Sequence, residues 1–109
     1  AALTAAAAQL GWHVAHIDVH DNPDKTSLLQ RCATAMRLPD YFGHNWDALA
    51  DALNDLDWLD CAGMALLLRT DGNSLPSSQT LQTLLDIVQE AAQLQAERDW
   101  PLRIFFVHD

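Results

Sequence analysis

The sequence predicts a single α/β domain in which a three-stranded parallel sheet packs with helices. Short apolar runs alternate with segments of helical spacing, and residues 64–68 are apolar at every position. Strands buried on both faces are typical of parallel sheets, whose strands are joined by right-handed helical crossovers. The 109 residues suffice for one domain with a small hydrophobic core.

The N-terminal half predicts a helical extension, a strand and a helix. Residues 1–11 form an Ala-rich segment of strong helix formers that ends at a glycine, and we expect residues 12–109 to be the domain proper. Apolar and polar residues alternate over 13–20, which predicts the first strand. Apolar residues at helical spacing predict a helix over 23–36, for which Asp21-Asn22-Pro23 offers an N-cap and an early proline.

The second half predicts two more helices and two strands. Asn45 is positioned to cap a helix, and before it Gly43 can adopt a positive φ in a loop. The spacing predicts that this helix buries one stripe of side chains, Trp46, Leu49, Ala50 and Leu53. A strand over 64–68 follows, and Ser77 or Ser78 begins a long helix before a last strand over 102–107. The side chains of the long helix expected to point inward are Leu81, Leu84, Leu85 and Val88.

The composition is acidic: six Lys and Arg against fifteen Asp and Glu give a net charge of −9. Such a domain repels phosphate backbones, so we expect no direct binding of nucleic acid and favour a basic protein partner. Its apolar runs are too short to cross a bilayer. The two cysteines lack the spacing of a disulfide framework, which predicts a cytoplasmic protein, and nothing in the sequence demands more than a monomer.

Acidic residues are concentrated in the middle of the chain, where no Lys or Arg occurs between Arg37 and Arg69. Three of them, Asp47, Asp51 and Asp55, follow each other at four-residue spacing, which opposes helix formation by about a few tenths of a kcal/mol per pair. This stretch is either a solvated face that keeps the protein in solution or a surface that binds a cationic partner.

Residues 38–53, LPDYFGHNWDALADAL, resemble the signature of the barstar-type ribonuclease inhibitors. The shared pattern is Leu-Pro, an acid, two aromatics and Gly, followed by Asn-x-Asp-Ala-Leu and a second Asp four residues on. A weaker similarity extends from about His13 to the C-terminus and leaves out residues 1–10. The resemblance implies a compact α/β fold and inhibition without catalysis or cofactor. The implied partner is a basic extracellular or toxin-type ribonuclease, whose active site the acidic helix and the preceding loop block.

The resemblance also implies the partner-binding residues, which are Tyr41, Gly43, His44, Asp47, Ala50, Asp51 and Glu90. Tyr41 would pack against the catalytic base of the enzyme, and Asp51 would sit where an RNA phosphate binds. The family commonly has an aromatic residue at the position of Ala50. Because aromatic anchors are typical hot spots, the alanine predicts weak binding to the usual target or recognition of a different ribonuclease.

Three other interpretations compete with this one. Asp47 and Asp51 could form a catalytic pair, which would require one carboxylate to be desolvated. His16, Asp18 and His20 share one face of the first strand, with His108 as a possible fourth group, so they are either metal ligands or polar residues at a strand end. The fold could also serve as an acidic interaction module for a partner that is not a nuclease.

Overall fold

The computed structural model describes residues 2–39, 43, 45–56, 59–70 and 78–108. Within these ranges the helices and strands follow the predicted order, strand, helix, helix, strand, helix, strand, after an N-terminal helix. The elements are α1 (Ala2–Gln9), β1 (His13–Asp18), α2 (Lys25–Met36), α3 (Trp46–Asn54), β2 (Met64–Thr70), α4 (Gln79–Ala96) and β3 (Leu102–His108).

The three strands described form one parallel sheet with β2 in the centre. His13 of β1 and Leu102 of β3 both lie opposite Met64, and this register continues along β2 to Thr70, which lies opposite His108. Helices α2 and α3 connect β1 to β2, and α4 connects β2 to β3. The predicted α/β fold with a three-stranded parallel sheet is therefore confirmed.

The core lies between the sheet and the helices, and β2 is buried at every position from 64 to 68, as its composition predicts. Each fully buried aliphatic side chain contributes about 1.5–3 kcal/mol to stability. The helix residues that complete the core include Leu28, Leu29, Met36, Leu49, Leu53, Leu84 and Val88. Leu81 is also buried, whereas Leu85 is only partly buried at the edge of the core.

Helix α2 begins two residues later than predicted. Its N-cap is Asp24, whose side chain accepts a 2.8 Å hydrogen bond from the Ser27 N–H. Asp21 instead forms two 2.8 Å bonds with the Arg31 guanidinium, and Asn22 has a φ of 51°, outside the helical region. The predicted cap at Asp21-Asn22-Pro23 is therefore wrong, because a nearer carboxylate takes the cap.

Helix α1 leads directly into the sheet. The Trp12 N–H donates to the Ala7 carbonyl at 3.0 Å, and Gly11 reverses the chain with a φ of 78°. Ala7 is 5% exposed, so the middle of α1 packs against the rest of the protein. Among the helices described, none is both long and apolar enough to span a membrane.

Candidate partner-binding site

The N-terminus of α3 is built by Asn45. Its Oδ1 accepts the Ala48 N–H at 2.8 Å, and its Nδ2 donates to the Gly43 carbonyl at 3.3 Å. Among the described glycines only Gly11 has a positive φ, so Gly43 does not use the conformation that was available to it. A Cβ at residue 43 would lie 3.1 Å from Asn45 Nδ2, so the glycine makes room for the capping side chain.

Helix α3 separates an apolar face from an acidic one. Leu49 and Leu53 are fully buried, whereas Asp47 and Asp51 are exposed, one helical turn apart. Ala50 is only half-buried, because the 100° step between neighbouring helical residues places it at the boundary beside Asp51. The predicted buried stripe is therefore narrower than expected, and Ala50 borders the exposed face.

The carboxylates of Asp47 and Asp51 are exposed, and neither pairs with a cation among the described residues. In the described part of the chain the ion pairs join Asp21 to Arg31 and Asp18 to His20, and neither involves α3. A cationic partner could therefore approach Asp47 and Asp51 without first breaking an internal pair. Both carboxylates are exposed, so the desolvation that a catalytic pair needs is missing at these positions.

Helix α4 packs against α3 and carries Glu90. The buried side of α4 includes Ala91, whereas Glu90 beside it is exposed. The structure thus places three of the expected carboxylates, those of Asp47, Asp51 and Glu90, on the exposed surfaces of two neighbouring helices. Two other expected residues, Tyr41 and His44, lie outside the described residues.

Two residues that the sequence analysis missed bind the C-terminal end of α3. Gln95 Nε2 donates to the carbonyls of Leu53 and Asn54 at 3.0 Å each, and Arg98 Nη1 donates to the Asn54 carbonyl at 3.0 Å. The spacing of the sequence contained a signal for Gln95, because it continues the buried stripe of α4. That stripe consists of Leu81, Leu84, Val88, Ala91 and Gln95. A polar residue at a core position requires a hydrogen-bond partner.

The candidate metal ligands at the end of β1 do not form a metal site. Asp18 contacts the His20 ring, and this hydrogen bond lowers the pKa of Asp18. His16 is exposed on the same strand. Throughout the described residues, no group of three His, Cys, Asp or Glu side chains is arranged to hold a metal ion. The side chain of His108 lies outside the part described.

Cys32 is a buried thiol of the core, as its position on the apolar stripe of α2 predicts. Burial raises the pKa of Cys32 to about 12, so it stays protonated at neutral pH. Cys61 is partly buried, and its Sγ lies 3.2 Å from the Gly63 carbonyl, to which it donates. Both cysteines are free thiols.

Fold and site together define a small acidic α/β protein that displays carboxylates from a helix anchored in its core. The family model described as barstar (barnase inhibitor) matches residues 12–107. The chain therefore belongs to the barstar family, as its resemblance over residues 38–53 indicates. No curated protein matches the chain as a relative.

Proposed function

We propose that this protein inhibits a small basic ribonuclease by occupying its active site with α3 and the loop before it. The observation that carries the proposal is the pair of exposed carboxylates, Asp47 and Asp51, on a helix whose opposite side is fully buried. Membership of the barnase-inhibitor family supports a ribonuclease as the partner class.

The chemistry of a ribonuclease cleft suits this surface. Such a cleft binds RNA phosphates through Arg and Lys side chains, and a carboxylate can replace a phosphate in a bidentate pair with Arg. Helix α3 presents its carboxylates from a rigid element, which reduces the ordering cost of binding. The net charge of −9 attracts a basic enzyme over a distance and raises the association rate.

Each expected site residue has a proposed role. Asp51 takes the position of an RNA phosphate, Asp47 pairs with a second cation, and Glu90 on α4 adds a remote acidic contact. In the loop, Tyr41 packs against the enzyme. Gly43 and His44 lie beside it, where Gly43 allows a close backbone approach and His44 adds a charge that depends on pH.

The proposed biological role is that of an antitoxin or immunity protein. The chain would act in the cytoplasm as a monomer that protects its producer from a ribonuclease. It would need neither a cofactor nor catalytic residues, because blocking the enzyme involves no chemical step.

One residue favours a second candidate function. Ala50 borders the acidic face at the position where the family commonly has an aromatic residue, so an anchor for the usual enzyme is missing there. The same acidic surface could then bind a basic protein that is not a nuclease. In that case the carboxylates would still direct binding, but RNA cleavage would be unaffected.

An inhibition titration distinguishes the two candidates. RNA cleavage by a panel of small basic ribonucleases, starting with a barnase-type enzyme, is measured while this protein is added at low and at high salt. We expect stoichiometric inhibition of at least one enzyme, weaker at high salt. The double variant Asp47→Asn/Asp51→Asn should not inhibit, whereas Asp24→Asn, with a carboxylate removed from α2, should inhibit as the wild type does. Full cleavage throughout the panel would contradict the proposal.

A further inference from the structure

Helix α3 is held at its C-terminal end by two side chains of α4, Gln95 and Arg98, which we call the α4 clamp. Gln95 is 3% exposed, and its amide nitrogen donates to the carbonyls of Leu53 and Asn54, both at 3.0 Å. The exposed Arg98 donates to the Asn54 carbonyl at 3.0 Å. The clamp therefore reaches across more than forty residues of sequence to bind the end of α3.

The α4 clamp satisfies carbonyl groups that α3 cannot satisfy by itself. The last four carbonyls of a helix have no partner within that helix. In α3 the Asp55 N–H donates to the Asp51 carbonyl at 3.1 Å, and the clamp serves the carbonyls of Leu53 and Asn54. Because Leu53 is fully buried, loss of the Gln95 amide would remove a donor from its carbonyl at a position away from water.

The clamp also acts where the charges of α3 oppose the helix. Asp51 and Asp55 repel each other at four-residue spacing and lie toward the negative end of the helix dipole. With nine residues, α3 is too short to be stable without tertiary contacts. Its orientation therefore depends on its packing, and the clamp supplies three hydrogen bonds at the end that carries Asp51.

We infer that the α4 clamp is a positioning device for partner binding. It holds the Asp51 end of α3 in one orientation against α4, so the carboxylates meet the cations of the partner already ordered. This inference rests on the proposed function, because the partner is taken to be the basic ribonuclease. Gln95 is a positioning residue in this account, since its side chain is buried under α3 and acts through Asp51.

The variant Gln95→Met tests the inference in the free protein, because methionine keeps the length of glutamine but has no donor. We expect amide hydrogen exchange of residues 53–55 to become about tenfold faster, as expected when a buried hydrogen bond is lost. The matched control is Val88→Ala, which removes a buried contact from the same helix and leaves the clamp intact. In Val88→Ala, amide exchange of residues 53–55 should accelerate only by the amount that the loss of global stability explains.

Binding provides the second readout. The dissociation constant for an inhibited ribonuclease should rise about tenfold in Gln95→Met and stay within about twofold of the wild type in Val88→Ala. If Gln95→Met and Val88→Ala have the same thermal stability and lose the same amount of affinity, Gln95 is merely structural and the inference is overturned. Unchanged exchange of residues 53–55 in Gln95→Met would overturn it too.

A second pair of variants keeps the test decisive if Gln95→Met does not fold. Arg98 is exposed, so its replacement leaves the core intact. Arg98→Met should weaken binding about threefold, and Arg98→Lys should restore it, because lysine keeps a charged donor. No change in Arg98→Met would refute the role of Arg98 in the clamp. If the wild type binds no ribonuclease, the proposed function fails, while the exchange measurement still decides whether the clamp orders α3.

Discussion

Replacing Asp51 by asparagine should weaken binding while making the protein more stable. In the free protein Asp51 is exposed and forms no ion pair within the described residues, so the change breaks no internal contact. It removes like-charge repulsion with Asp47 and with Asp55, each worth about 0.2–0.5 kcal/mol. The free energy of unfolding should therefore rise by about 0.4–1 kcal/mol at low salt.

In the complex the same change leaves a cation of the ribonuclease buried without its carboxylate. Such a loss costs ~2–5 kcal/mol, which corresponds to a dissociation constant about 30-fold to about 4,000-fold higher. The matched control is Asp24→Asn, since asparagine caps a helix as well as aspartate does and the charge removed is the same. That variant should bind within about twofold of the wild type, because charges remote from an interface are screened over about 8 Å at physiological salt.

Two assays check this prediction. Urea unfolding should show a small gain in stability for Asp51→Asn and no gain for Asp24→Asn, whose native carboxylate accepts the Ser27 N–H. Calorimetric titration with the ribonuclease should show the large loss of affinity for Asp51→Asn alone. Equal affinities of the two variants would refute the assignment of Asp51, and a destabilised Asp51→Asn would refute the account of repulsion in α3.

Three further predictions concern salt, the half-buried alanine and acid. The association rate with the ribonuclease, measured by stopped flow, should fall steeply as salt rises; a rate independent of salt would show that charge does not direct the encounter. Ala50→Trp should tighten binding to a barnase-type enzyme in a competition assay, whereas unchanged or weaker binding would mean that the surface is built for another target. The Arg31 guanidinium lowers the pKa of Asp21 from 3.8 to about 2, so the pair stabilises the fold fully above about pH 4 and loses this effect as the pH falls toward 2. Asp21→Asn should therefore unfold more easily than the wild type at pH 6, with a difference that disappears near pH 2; a difference that grows in acid would contradict the assignment.

The fold could be predicted because each element carries its own local signal. The period-two alternation at β1, the apolar run of β2 and the capping residue Asn45 all correspond to structure at those positions. The ends of helices were less predictable, since several neighbouring residues can act as the N-cap. At α2 both Asp21 and Asp24 precede the helix; Asp24 caps it, whereas Asp21 pairs with Arg31, ten residues away.

The exposure of the candidate carboxylates was also predictable from local spacing. Asp47 and Asp51 stand beside the apolar positions of Leu49 and Leu53, which places the carboxylates outside the core. The α4 clamp was not predictable in the same way, because Gln95 is forty-two residues from Leu53 in sequence. Its place in an apolar stripe shows only that Gln95 needs a hydrogen-bond acceptor, and the packing of α3 against α4 supplies the backbone carbonyls that accept.

The role of Gly43 shows a different limit of local reasoning. A glycine in a loop suggests a left-handed backbone, yet in this protein the missing side chain matters for space beside Asn45. A Cβ at this position would crowd the Nδ2 atom that donates to the Gly43 carbonyl. Crowding at Gly43 would therefore disturb the candidate site, because Asn45 caps the helix that carries the acidic face.

Mapping of backbone amide shifts tests most directly the proposal that α3 is the surface that meets the ribonuclease. The isotope-labelled protein is titrated with an inhibited ribonuclease, and the amide signals are compared with those of the free protein. We expect the largest changes along α3 and around Glu90 on α4, with little change in α2. Large changes confined to β1 and α2, with the signals of α3 unmoved, would contradict the proposal.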